Sequence, residues 1–198
     1  EALVTQAERA SDAAEPFEPS VGRELSSLAN IPAAIALWRA DRARQRGDPE
    51  RASVFARQSL ASLTEADRAT RAMVRWQLAM AEWMRGRPAQ AEPILAEVVT
   101  DPHVWLRPWY ELGRVQQAQG RLGAALATFG HGVEVASEAG QPLPLAGMGH
   151  VGLAEALCER GELDAALEHA TMGVTFCRQF GYAQWLVIAL TVLAWIRQ

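Results

Sequence analysis

The chain has 198 residues, 49% hydrophobic and 21% charged, enough apolar text for one sizeable domain or a short array of repeated units and incompatible with disorder or collagen. All nineteen basic positions are arginine, which excludes a P-loop lysine, a Schiff-base lysine and a Ser-x-x-Lys nucleophile. A net charge of -4 argues against the chain neutralising a phosphate backbone, so no direct nucleic-acid contact is expected.

Residues 1–20 read as the end of a preceding helix, over 2–11, and a polar loop from Ser11 to Ser20 that carries Pro16 and Pro19. The chain opens at Glu1 with neither an initiator Met nor a basic-then-apolar leader, so it is expected to be cut from a longer polypeptide. From 21 to 198 apolar residues recur at steps of three and four without strand signals, which predicts a single helical repeat domain. The predicted helices are 22–46 with a break near Pro32, then 49–63, 66–85, 89–99, 103–119, 121–139, 144–160, 162–179 and 182–198. The last apolar run, Trp185 to Ile196, is shorter than the about 20 residues a bilayer needs, so no membrane partner is expected. It reads as the first helix of a further unit, with Trp185, Ile188, Val192 and Trp195 left unprotected, and predicts a homodimer through this C-terminal helix.

Four glycines set a register. Gly47, Gly86, Gly120 and Gly161 are each preceded by a small residue seven positions earlier (Ala40, Ala79, Gly113, Ala154) and followed by alanine five positions later (Ala52, Ala91, Ala125, Ala166). Two positions after them stand Pro49, Pro88, Leu122 and Leu163, and proline is at home in a first helical turn. Spacings of 39, 34 and 41 fit helix-turn-helix units whose small residues let the helices approach closely. The expected fold is an all-α, tetratricopeptide-like right-handed superhelix of about four and a half helix pairs.

The segment WYELGRVQQAQGRLGAALATF carries Trp109, Leu112, Gly113, Gly120, Ala125 and Phe129 in tetratricopeptide register. The words AIALWRADRARQRGD and GHVGLAE, in that order, resemble the helical sensor region of ATP-dependent LuxR-type (MalT-type, STAND) transcriptional regulators, over about residues 22 to 198. The resemblance implies a non-catalytic, ligand-sensing and protein-interaction region that lies between a P-loop ATPase and a DNA-binding domain. Its implied partners are a small-molecule inducer or peptide in the concave groove and other domains of the full-length regulator. A tetratricopeptide scaffold that binds a peptide or partner protein without metabolite sensing is the alternative. No cofactor is expected in this fragment. Cys158 and Cys177, with 18 residues between them and without metal-ligand spacing, fit a reduced, cytoplasmic setting.

The remaining patterns are weighed against plainer explanations. Gly147, Gly149 and Gly152 spell G-x-G-x-x-G, but no strand precedes them, so helix packing is the expected reason for them. Glu155 and Glu159 share a helix face without a His beside them, and His103, His131, His150 and His169 are scattered one per helix, so neither a metal site nor an enzyme is expected. Residues 31–87 hold eleven Arg against six acids; Arg39, Arg42 and Arg46 along one face could dock an anionic neighbour, but a solvated helix face with Asp41, Asp48 and Glu50 as partners is the expected reason for them. The candidate groove is built from the first helix of each pair. Met73, Trp76, Met80, Trp83 and Met84 form a stripe in the second unit, Arg107, Tyr110, Arg114 and Gln117 in the third, and Val151, Glu155, Cys158 and Glu159 the equivalent stripe of the fourth. Trp76, Trp83, Arg107, Tyr110 and Arg114 are expected to face one shared concavity, the alternative being that Trp76 and Trp83 pack between adjacent repeats, and Trp109 is expected to pack inside its repeat.

Overall fold

The computed structural model describes residues 30–101, 107–138, 146–179 and 183–197. Among the described residues there are nine helices: α1 (Ile31–Gln45), α2 (Pro49–Ala61), α3 (Arg68–Met84), α4 (Pro88–Val98), α5 (Arg107–Ala118), α6 (Leu122–Glu138), α7 (Ala146–Glu159), α8 (Leu163–Gln179) and α9 (Ala183–Ile196). The helix expected over 2–11, the loop after it and the part of 22–46 before Asn30 lie outside these residues. Pro32 does not break a helix. It sits in the first turn of α1, where its missing N–H costs no hydrogen bond, and Asn30 caps that turn by accepting from the Ala33 N–H at 3.2 Å.

All four register glycines lie at inter-helix turns with left-handed backbone: Gly47 at φ 73, Gly86 at 70, Gly120 at 74 and Gly161 at 79. Each turn closes in the same way. The residue after the glycine donates its N–H to the carbonyl five positions back, Asp48 to Ala43, Arg87 to Glu82, Arg121 to Gln116 and Glu162 to Leu157, all at 3.0 Å. This closure satisfies carbonyls the helix end leaves free and needs a left-handed residue at its centre. A Cβ at any of the four would meet nothing within 4 Å, so backbone conformation rather than crowding selects glycine there.

The helices stack in chain order as four pairs plus α9, each on the next, and first helices also touch one another in α1–α3, α5–α7 and α7–α9. No comparable contact joins neighbouring second helices among the described residues, so the first-helix layer lies on the inside of the superhelical curve. Close approach depends on small residues. Ala33, Ala40 and Ala56 are fully buried in one cluster with Val74 of α3. Further along, the Phe129 ring of α6, 1% exposed, lies where Cβ atoms on Gly113 of α5 and Gly152 of α7 would stand. A Cβ on Gly149 would meet Val133 of α6 at 2.7 Å, and one on Gly147 would meet Phe176 and Cys177 of α8 at 3.1 Å. The G-x-G-x-x-G run is therefore a packing device that lets α7 sit tightly between α6 and α8. Trp109 is half-buried against Gly132 and edge-on to His131 at 4.7 Å, an intra-pair packing position.

Two expectations are corrected. On α9, Val192 is 5% exposed and Trp185 and Ile188 are half-buried, so of the four side chains expected to be unprotected only Trp195 is exposed. The open stripe is instead Val187, Leu190, Thr191 and Ala194. Its spacing repeats that of Gly147, His150, Val151 and Ala154, the buried positions of α7 that include those packed against α8. The histidines are not all scattered either, since His150 and His169 meet Nδ1 to Nδ1 at 2.9 Å, with His150 stacked on Phe176. One proton serves both facing nitrogens. Burial, and then the His169 charge, push His150 down to about 4, so the pair is neutral in the fold at neutral pH. No helix among the described residues is long and apolar enough to cross a membrane.

These features generate two predictions. In urea melts Gly120→Ala should cost about 1–2 kcal/mol through left-handed strain, and Gly152→Ala about 1–3 kcal/mol through collision with the Phe129 ring. Gly123→Ala, in the first turn of α6 with open space around it, should be neutral or stabilising by up to about 1 kcal/mol. The second concerns pH. Because the folded-state pKa of His150 lies below its ordinary value, the unfolded chain binds the extra proton first, and stability falls as pH drops from about 6.5 towards 4. Thermal melts should show a loss of about 1 kcal/mol at pH 5.5 from this group, a few degrees in midpoint, and His150→Leu should flatten that slope.

Candidate groove between the first helices

The inner layer carries a cavity of about 290 Å³ lined by Trp83 of α3, Arg114, Gln117 and Ala118 of α5, Glu155 and Glu159 of α7, and Trp195 of α9. Four first helices thus contribute to one recess. Helical spacing explains the pairing within it: Glu155 and Glu159 are one turn apart on α7, facing Arg114 and Gln117 one turn apart on α5. Arg114 Nη1 lies 3.8 Å from Glu155 and donates to Tyr110 Oη at 2.9 Å. Gln117 Nε2 donates to Glu159 Oε1 at 2.5 Å. That bond fixes the amide orientation, because a carboxylate cannot donate to the amide oxygen. The Gln117 Oε1 that remains is buried without a hydrogen-bond partner, an acceptor waiting in the wall.

The charges here are strained by burial. Desolvation pushes the Glu155 carboxyl above its ordinary range, Arg114 opposes this, and the neighbouring Glu159 adds to it. Tyr110 is pushed up to about 12, first by burial and then by Glu155, so it remains a neutral phenol. Glu111 is raised by burial against the pull of Arg107 and Arg114. A carboxylate pair, an amide oxygen and a guanidinium between two indoles can hydrogen-bond a polar molecule and stack on its flat face.

The predicted stripe divides. Trp83, Arg114, Gln117, Glu155 and Glu159 line the recess, whereas Met73, Trp76, Met80, Arg107 and Tyr110 do not. Trp76 is 4% exposed, lying beneath the guanidiniums of Arg44 at 5.2 Å and Arg107 at 4.8 Å. Met80 belongs to the core shared by α3, α4 and α5, where Leu95, Leu112 and Val115 surround it. Tyr110 is wedged between Phe129 and Trp185, with ring centroids 5.9 and 5.0 Å away. Met73 is half-buried, and Arg107 reaches Glu111 at 3.6 Å while covering Trp76. The single concavity expected for Trp76, Trp83, Arg107, Tyr110 and Arg114 is thus corrected: curvature brings first helices together and closes over the side chains nearest the contact.

Trp195 is the aromatic addition. Trp195 stands forty positions after Glu155, the offset by which α9 repeats α7, so aligning α9 as a further first helix would have placed it at the groove. Among the described residues no group of three or more His, Cys, Asp or Glu side chains could hold a metal ion.

Comparison with known proteins agrees with this architecture. The family described as the MalT-like TPR region matches residues 33–198. Among solved structures, a kinesin light chain with nearly identical TPR-like repeats from Podosopora anserina superposes with a TM-score of 0.59 at 19% identity, covering 84% of this chain and 96% of that one. A variant of it gives 0.63 at 19%, covering 90% and 87%. The MamA protein gives 0.56 at 17%, covering 81% and 82%. No curated protein matches at the sequence level. At these identities the structures speak for the fold alone, and the family assignment rests on the match over residues 33–198. The chain belongs to the MalT-like TPR region family.

Proposed function

We propose that this chain is the ligand-sensing and interaction region of a LuxR-type transcriptional regulator, acting in the cytoplasm without catalysis or cofactor. A small inducer held in the inner recess biases the full-length protein between an inactive and an assembled state by binding one state more tightly. The supporting observation is the recess itself, where two indoles flank Arg114, Glu155, Glu159 and the unpartnered Gln117 Oε1. A neutral polar molecule with flat faces and several hydroxyl or amide groups matches that lining; a sugar or a short peptide meets the description. Other domains of the regulator are its further partners, with no direct nucleic-acid contact from these residues.

A second reading, a scaffold that binds a peptide without sensing a metabolite, is favoured by the 52% exposure of Trp195, which leaves one side of the recess open to an extended chain. Titrating oligosaccharides and short peptides while following tryptophan fluorescence separates the two readings. Glu155→Gln and Trp195→Ala should each weaken the active compound about tenfold or more, the loss of roughly one charged hydrogen bond or one stacked ring. Trp76→Ala should instead lose about 3–5 kcal/mol of stability. Oligosaccharide binding that is unaffected by Glu155→Gln and Trp195→Ala would remove the recess from the account.

The open apolar stripe of α9, Val187, Leu190 and Ala194, also supports a homodimer through this helix. Sedimentation should show concentration-dependent association that Leu190→Glu abolishes, and a strict monomer would exclude it.

A further inference from the structure

Where α1 meets α2, on the first helix pair, a cavity of about 390 Å³ is lined by Arg39, Arg42, Arg46, Arg51, Asp48 and Phe55. The carboxylates of this pair are committed. Asp41 accepts from Arg44 at 2.6 Å and also from Gln45 and Gln77. Glu50 reaches across to Arg85 at 2.5 Å. Asp48 caps α2 and lies 3.5 Å from Arg51. Arg39, Arg42 and Arg46 therefore have no carboxylate partner among the described residues, and Arg39 contacts only the Phe55 ring, at 6.0 Å. The carbonyl end of α1 favours cations in its last turn, and Arg42 and Arg44 are there. That effect accounts for one or two guanidiniums, not for four converging on one recess.

An apolar track continues from the basic recess along α1. Ile31, Ile35, Trp38 and Arg42 follow one another at steps of four, three and four on a single helix face. Trp38 is 75% exposed and Ile31 47%, and Val54 of α2 is 53% exposed. Large apolar side chains this open carry a hydration cost that a partner would relieve. A bare anion would find the guanidiniums but leave Trp38 and Ile31 uncovered. The arrangement suits a segment that offers carboxylates to the Arg forks and bulky apolar side chains to the track.

We propose that the first helix pair is a docking face for an acidic, amphipathic segment of a partner protein, its carboxylates over Arg39, Arg42, Arg46 and Arg51 and its apolar side chains over Trp38 and Ile31. The face is separate from the inner recess, whose lining comes from α3, α5, α7 and α9.

The test uses the full chain and a fluorescein-labelled peptide of repeated EEFEEL sequence, followed by anisotropy. Binding should weaken about tenfold or more as salt rises from about 0.05 to 0.3 M. Arg42→Gln with Arg46→Gln should lose about tenfold or more, and Trp38→Ala several-fold, in proteins whose thermal midpoints match the parent. Arg178→Gln, at an exposed arginine on α8, should bind unchanged. Three results would overturn the proposal. The peptide fails to bind. Pyrophosphate competes as well as the peptide while Trp38→Ala has no effect, which marks a bare anion site. Binding appears only after Glu8, Asp12, Glu15 and Glu18 are neutralised, which makes the chain's own acidic stretch the occupant.

Discussion

The Phe129 ring pressed between two glycines is the contact on which the second half of the superhelix depends. It occupies the space where Gly113 of α5 and Gly152 of α7 would carry side chains, so one aromatic group fixes the separation of three helices. Tyr110 lies against the same ring, and Trp185 against Tyr110, which extends the lock into α9. The first half uses many small contacts instead. Its alanines bury little apolar area each, and the polar links Arg44–Asp41–Gln77 and Glu50–Arg85–Glu82 bridge the first two pairs.

That difference in packing carries over to electrostatics. The locked half brings Arg114, Glu155 and Glu159 close enough to perturb one another in a partly dry recess, where each charge matters more than it would in water. The first half leaves its unmatched arginines in solvent, where they act at longer range and yield to salt. Inner recess and outer face are therefore suited to different partners, one selected by shape and hydrogen bonds, the other by charge.

Much of the fold was legible because left-handed turns have few solutions. Gly47, Gly86, Gly120 and Gly161 announced every turn between paired helices, and the small residues seven before them and the alanines five after them announced the close approach. Periodicity alone could not divide the aromatic stripe. A step of three or four says which face a side chain occupies, but Trp76 and Trp83 share a face and differ in how near the neighbouring helices pass. Full burial of the first and only partial burial of the second follow from superhelical curvature, which sequence spacing does not encode. The meeting of His150 and His169 was hidden for a related reason: they stand nineteen positions apart, and only the antiparallel return of α8 along α7 brings them together.

The recess also has a mechanical meaning. Each helix of this solenoid is held mainly by its neighbours in sequence, so the array resembles a coil spring whose pitch is set by small contacts added in series. Trp83 and Trp195 stand on α3 and α9, with two further helix pairs between them along the chain. A molecule gripped by both would act as a strut between distant turns of the spring, resisting extension and twist in a way that no neighbour contact does. Even a ligand of modest size could then be felt at the ends of the coil, as a change in stiffness rather than a displaced loop.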